Sequence, residues 1–177
     1  MEIVKRTLVP FDSFPREIGF YLSGWEKIRA GLREIVSDLT IEELSRRVSP
    51  GAHQIGGLIL HLGEAETWWI HSVVAEKELD EEAKKFAHLY DTTETDFSEK
   101  GYSAKDCIER IDKIGAMSRE ILAKLTDDDL ERIFAYERDD KRVEASLRWI
   151  FYQLIEHEAT HKGQIAMLKR LMRENNE

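Results

Sequence analysis

Residues 154–168 read LIEHEATHKGQIAML. At helical spacing, Leu147, Ile150, Leu154, His157, His161, Gln164, Leu168 and Leu171 recur in alternating steps of three and four. They form one face of one helix, the face that turns toward a core. Both ends of that face are apolar, and its middle is His, His, Gln. Burying polar side chains costs ~1–3 kcal/mol each unless they find partners. Two imidazoles at i and i+4 stack one turn apart and can aim a nitrogen each at one point. A metal ion at that point would offset the cost, and the rest of the chain becomes a search for the missing ligand.

The chain has 177 residues, which predicts a single domain over 1–177 with room for a sizeable core. Its net charge of -9 argues against nucleic acid as a partner, because no basic excess is available to displace counterions. One cysteine excludes a disulfide framework and a cysteine-based zinc site. The opening MEIVKRTLVPFDSF holds no apolar run that reads as a signal peptide or membrane span. The expectation is a cytoplasmic protein with no membrane partner. Few prolines and long helical periods favour an all-α fold.

Taken in order, Ile18, Leu22, Trp25, Ile28, Leu32, Ile35 and Leu39 predict a first helix over about 15–39, capped by Asp12 or Ser13 with Pro15 in its first turn. Thr40 and Glu43 form a capping box before a short helix. A second helix is predicted over about 53–78, with Leu58, His61, Leu62, Ala65, Trp68 and Trp69 inward. In the acidic stretch 79–100, EEAKKFAHLY reads as a short surface helix and DTTETDFSEKG as a loop. Ser103 and Asp106 start a third helix, whose buried stripe includes Cys107, Ile111 and Ile114. Thr126 and Asp129 begin another short turn, and 133–143 reads as a charged loop or small hairpin. A fourth helix over about 145–174 completes a four-helix bundle with short extra helices in its connections. In such bundles cofactor sites form between facing helices.

His157-Glu158-Ala159-Thr160-His161 matches the H-E-x-x-H metalloprotease pattern. No histidine follows His161, and Gly163 comes one residue too early for the extended form of the motif. A protease is therefore the weaker reading. A di-iron carboxylate bundle needs two Glu-x-x-His motifs, and Glu158-x-x-His161 is the one present. His61, mid-helix on an apolar face, is the best third ligand: alone it would be a core histidine, but with the His157–His161 pair it completes a three-histidine site with an open position. His53 and His71 lie about 80° off its direction and read as rim or surface residues. His88 is assigned nothing. Glu64 and Glu66 are either acceptors for an imidazole N–H or solvated charges. Gln164 faces either a water at the ion or a backbone carbonyl. Cys107 reads as a small core residue, and Trp68 and Trp69 as core or as a pocket wall.

HQIGGLILHLGEAETWWI in the second helix and LIEHEATHKGQIAMLKRL in the last together resemble the DinB-like superfamily of metal-dependent bundle proteins. The shared pattern is a histidine followed by an acidic residue and aromatics, then H-x-x-x-H-x-G-Q, and the resemblance covers nearly the whole chain. It implies a four-helix bundle and one divalent ion, nickel or zinc foremost, held by three histidines, which by position are His61, His157 and His161. Some members resemble S-transferases or isomerases that use a low-molecular-weight thiol such as bacillithiol, mycothiol or glutathione, and homodimers are common among them.

The sequence thus predicts a metal-dependent enzyme acting on a small-molecule substrate, with a low-molecular-weight-thiol S-transferase as the best-supported activity. A thiol at the ion would be deprotonated and nucleophilic near neutral pH. The rivals are a non-catalytic metal-binding or stress-associated protein and, further off, a metal-dependent hydrolase or H-E-x-x-H protease. No catalytic side chain is assigned.

Overall fold

A computed structural model describes residues 3–86 and 96–174 of the chain. Among these, four long helices carry the fold. Helix α1 spans Arg16–Val36, with the short α2, Ile41–Ser45, after it. Helix α3 spans Ile55–Glu66 and runs on as a π-helical segment, Thr67–Val74. The short α4, Glu81–Phe86, and a 3-10 turn, Phe97–Lys100, lie before α5, Ala104–Leu122. A second 3-10 turn, Asp127–Glu131, leads into strands β1, Ile133–Arg138, and β2, Lys141–Ser146, and α6 follows over Leu147–Glu174. Helix α3 packs on α5 and α6, and α1 packs on α6. The fold is a four-helix bundle, as the helical periods predict. Among the described residues no helix is long and apolar enough to cross a membrane.

The local chemistry explains most boundaries. Thr40 Oγ1 accepts from the Glu43 N–H while the Glu43 carboxylate accepts from the Thr40 N–H, the reciprocal capping box. Ser103 and Asp106 do the same for α5. The start of α1 differs from expectation. Pro15 is its N-cap and makes no side-chain cap bond. The free N–H groups of Glu17 and Ile18 are instead met by the Asp127 carboxylate, from a distant turn. The acceptor that a helix start needs thus comes from tertiary packing rather than from Asp12 or Ser13.

The predicted second helix is present but does not keep one geometry. Thr67 Oγ1 donates to the Gly63 carbonyl at 2.7 Å, and beyond it the bonding becomes i to i−5, as in Ala75 N–H to Ile70 O at 3.1 Å. A π segment is rare and is found mostly at functional sites. Its wider turn delays the rotation of the side chains. His71, expected at the rim, is therefore 2% exposed and bonded to Ser118 Oγ at 2.9 Å.

Residues 133–143 belong to the small hairpin. Asp139 and Asp140 form its two-residue turn, both with positive φ (51° and 58°), as a hairpin of this loop length favours. The pairing places Phe134 opposite Ala145, Tyr136 opposite Val143 and Arg138 opposite Lys141. The predicted surface helix is realised over Glu81–Phe86. The rest of that stretch, His88 included, and the start of the predicted loop lie outside the described residues.

Two apolar clusters fill the bundle. One gathers Leu22, Trp25, Trp69, Ile70, Phe134, Phe151 and Leu154. The other gathers Leu32, Val36, Leu58, Leu62, Cys107, Ile111 and Ile165. Cys107 is fully buried, and burial pushes its thiol up to about 12, which fits a core residue rather than a nucleophile. Gly56 is required by packing: a Cβ there would lie 2.2 Å from the Phe97 ring.

Candidate metal centre

Along each long helix the apolar stripe is interrupted between the two clusters, and the interruptions meet. Arg29 on α1, Glu66 at the end of α3, Ser118 on α5 and Glu158 on α6 are all buried. Arg29 Nη2 donates to Glu66 Oε2 at 2.8 Å and to Glu158 Oε2 at 2.7 Å, and its Nε donates to Glu158 Oε1 at 3.0 Å. The Trp25 indole N–H also donates to Glu158 Oε2. Burial alone would lower the Arg29 pKa, but the two carboxylates hold it above its ordinary value. Burial pushes the Glu66 carboxyl up, against the pull of Arg29. Glu66 is therefore neither a solvated charge nor an imidazole acceptor; it ties α3 to α1.

On the other side of this belt lie three half-buried histidines, His61 from α3 and His157 and His161 from α6. His157 Nε2 is 3.1 Å from His61 Nε2 and 3.1 Å from His161 Nε2. One ligand atom from each residue lies within 4.8 Å of the other two, and among the described residues this is the one such group of three or more metal-ligating side chains. The outer nitrogens are engaged. His61 Nδ1–H donates to Glu64 Oε2 at 3.1 Å, and His161 Nδ1–H donates to Gln164 Oε1 at 2.8 Å. Both acceptors are oxygens, so the protons sit on Nδ1 and the Nε2 lone pairs point inward. Glu64 and Gln164 thus act on the imidazoles themselves.

The donor set suits a divalent cation. Tetrahedral ligation at about 2.1 Å would separate neighbouring imidazole nitrogens by roughly 3.4 Å, close to the 3.1 Å found here. Burial, with His161 and His61 nearby, brings the His157 imidazole down to about 4. Burial also lowers His161, despite its bond to Gln164. These rings are held neutral, the form that binds metal. His53 is not among the three. Its Nδ1 is buried with no hydrogen-bond partner among the described residues.

A cleft of about 490 Å³ opens beside His61 and His157. Trp68 and Trp69 from the π segment, Trp149 and Gln153 from α6, and Arg138 from the hairpin line it. The Trp69 ring centroid is 4.5 Å from Trp68, 5.2 Å from Tyr136 and 5.5 Å from Trp149, all edge-on. The two tryptophans are thus both core and wall. Sequence patterning alone does not single out Tyr136, Arg138 or Trp149; for Tyr136 and Arg138 the signal is the alternation Phe134, Tyr136, Arg138 along β1, which puts them on one face of the hairpin.

Comparison with known proteins agrees with this architecture. A solved DinB-like protein from Bacillus cereus is 23% identical, with a TM-score of 0.61 over 86% of this chain and 91% of that one. A conserved protein from Enterococcus faecalis is 11% identical, with a TM-score of 0.66 over 85% and 94%. YfiT from Bacillus subtilis, named a probable metal-dependent hydrolase with an unusual four-helix bundle topology, is 17% identical, with a TM-score of 0.62 over 92% of each chain. No curated protein matches. The family model described as mycothiol-S-transferase matches residues 23–174. That match spans nearly all of the bundle, both histidine-bearing helices included, and the chain belongs to the mycothiol-S-transferase family within the DinB-like superfamily.

Proposed function

We propose that His61, His157 and His161 hold one divalent ion, nickel or zinc, and that the protein transfers the sulfur of a low-molecular-weight thiol to an electrophilic carbon of a small molecule. The observation that carries the reading is the convergence of three imidazoles beside an open cleft, with His157 Nε2 3.1 Å from the Nε2 atoms of both His61 and His161. The family match supports the thiol as co-substrate. When bound, the ion supplies a Lewis acid that lets a thiol lose its proton near neutral pH.

The protein's own contribution is orientation and exclusion. Glu64 and Gln164 fix the tautomers of His61 and His161 and keep their lone pairs inward. Arg29 anchors Glu158 and thereby the turn of α6 that carries His157. The tryptophan wall displaces water from one side of the centre, where charges are then less screened. His61, His157 and His161, as neutral imidazoles, would hold the ion without cancelling its charge, so an anionic co-substrate such as a thiolate would be favoured in the cleft. In the transfer the S–H bond gives way to a new S–C bond, and the carbon's leaving group departs with its electron pair and takes up the thiol's proton. The same reading takes the protein as a cytoplasmic homodimer. A second reading, hydrolysis at the same centre, draws on the name given to YfiT.

The test has two arms. Replacing any one of the three histidines with alanine is expected to reduce metal content sharply; full occupancy with unchanged affinity in His61→Ala would overturn the triad. Titrating cobalt-loaded protein with several cellular thiols is expected to give a sulfur-to-metal charge-transfer band that is absent in His157→Ala. If no thiol gives a band while carboxylates exchange freely at the ion, S-transfer fails and hydrolysis moves ahead.

A further inference from the structure

The hairpin brings Arg138 to the cleft, with Lys141 beside it on the ribbon. Arg138 and Lys141 are directly opposite each other on the last rung, so their side chains leave the same face of the ribbon. Like charges in that position repel. The neighbouring carboxylate offers little relief: Arg138 Nε is 3.8 Å from Asp139 Oδ2, and both side chains are mostly exposed (69% and 88%), a geometry worth little in water. Tyr136, two residues before Arg138, faces the same way and packs edge-on against Trp68 at 5.0 Å and Trp69 at 5.2 Å. Arg138 therefore stands at the end of a continuous aromatic surface. His61 and His157 line the same cleft. Trp149, on the α6 side, is 42% exposed, so part of its ring is open to the cleft it lines.

We infer that this cleft binds the second substrate and selects a molecule with a flat apolar body and a carboxylate tail. The body lies against Trp68, Trp69 and Trp149, and the carboxylate is held by Arg138 through a charge-assisted pair that a planar guanidinium makes two-pronged. Gln153 supplies an amide for a polar substituent along the body. The opposite polarity, a cationic ligand boxed by aromatics, is disfavoured by Arg138 in the lining, while Glu64, the carboxylate of the lining, is engaged with His61 Nδ1 at 3.1 Å. The inference rests on the proposed S-transfer only in calling the occupant a substrate; the binding preference is separate from the reaction.

The probes are 1-naphthylacetate and its neutral amide, which share one flat body, titrated calorimetrically into metal-loaded protein. The acid is expected to bind up to about fivefold more tightly than the amide, the scale of one well-formed exposed ion pair. Arg138→Gln is expected to remove that preference and leave amide affinity unchanged. Because Arg138 is exposed, this variant keeps its thermal stability. Trp149→Ala is expected to weaken both probes alike. In His157→Ala the preference is expected to persist. Equal binding of acid and amide by the unaltered protein, or a preference that survives Arg138→Gln, overturns the inference. So does a preference lost in His157→Ala with Arg138 intact, since the carboxylate would then sit at the histidine centre. Loss of metal binding or of the thiol band, with the Arg138-dependent preference kept, would instead sink the S-transfer reading alone.

Discussion

Arg29 and Glu158 are joined side to side, Nε to Oε1 at 3.0 Å and Nη2 to Oε2 at 2.7 Å, with both residues buried. Glu158 is the glutamate of the H-E-x-x-H match. A metalloprotease uses that residue as a general base at the ion. Here both of its oxygens are engaged with α1, and it turns away from the three imidazoles. Metal-loaded protein is therefore expected to leave casein and model peptides uncleaved. Cleavage that disappears in Glu158→Gln would show the opposite.

Glu64 and Gln164 are expected to tune the centre. Each accepts the outer N–H of one imidazole. Loss of such a partner typically weakens metal binding about 10- to 100-fold. Glu64→Ala and Gln164→Ala are expected to fall in that range, while the metal-free melting temperature of Gln164→Ala, an exposed position, stays unchanged. Competition with a chelator of known affinity measures the first quantity. Unaltered affinity in both variants would mean that the tautomers are set in some other way.

The triad was legible because its polar residues break an apolar stripe that is otherwise regular on both sides. The belt beneath it was not, although its signal was present. Leu22, Trp25, Arg29, Leu32 and Val36 keep the same alternation of three and four and are all buried; the sequence reading put the half-buried Ile28 on that stripe instead. An arginine on an apolar face normally carries its charge out to water. Recognising Arg29 as buried requires knowing that Glu66 and Glu158, on two other helices, end at the same point. Gly115 belongs to the same arrangement, since a Cβ there would come 2.9 Å from Arg29 Nη1. The π segment was hidden for a different reason. Thr67-Trp68-Trp69-Ile70-His71 are weak helix formers, but weak propensity does not tell a π turn from an α turn, and the change of phase accompanies the Thr67 hydroxyl bond to the Gly63 carbonyl. Asp127 at the start of α1 is likewise a long-range cap that local patterning does not contain.

Acid is expected to weaken the metal-free protein through His157. The imidazole titrates near 6.5 when unperturbed and is held to about 4 in the folded chain. Between those values the unfolded chain binds a proton that the folded chain refuses. The stability from this group is therefore present above about pH 6.5 and lost as pH falls toward 4. His161, also lowered, acts in the same direction. Metal affinity is expected to fall over the same range, because each ligand must be neutral. Melting curves of metal-free protein between pH 7 and 4.5 test the first point: the decline is expected to be shallower in His157→Ala than in the unaltered chain. A metal affinity flat across that range would argue for ligands other than histidine.

Removing the charge of Arg29 is expected to be the most damaging single change near the site. Its guanidinium lies between two buried carboxylates. Arg29→Met fills a similar volume but leaves Glu66 and Glu158 facing each other without a cation. Breaking a buried ion pair from one side costs about 3–5 kcal/mol, mostly because the remaining charge stays buried. Urea unfolding at pH 7 is expected to show a loss of that size, with reduced metal content, since Glu158 directly follows His157. Adding Glu66→Gln and Glu158→Gln to the variant is expected to restore part of the stability, because the uncompensated charges are gone. The pH dependence gives an independent check. Burial already raises the Glu66 carboxyl while Arg29 opposes the shift; without Arg29 it rises further. A carboxyl raised in the folded state favours folding at low pH and loses that contribution as pH climbs through its folded value. Arg29→Met is therefore expected to regain stability between pH 7 and 5, where the unaltered protein is losing it. A cost below about 1 kcal/mol at pH 7, the scale of an exposed pair, would mean that the belt is hydrated and not the buried cross-link that its geometry describes.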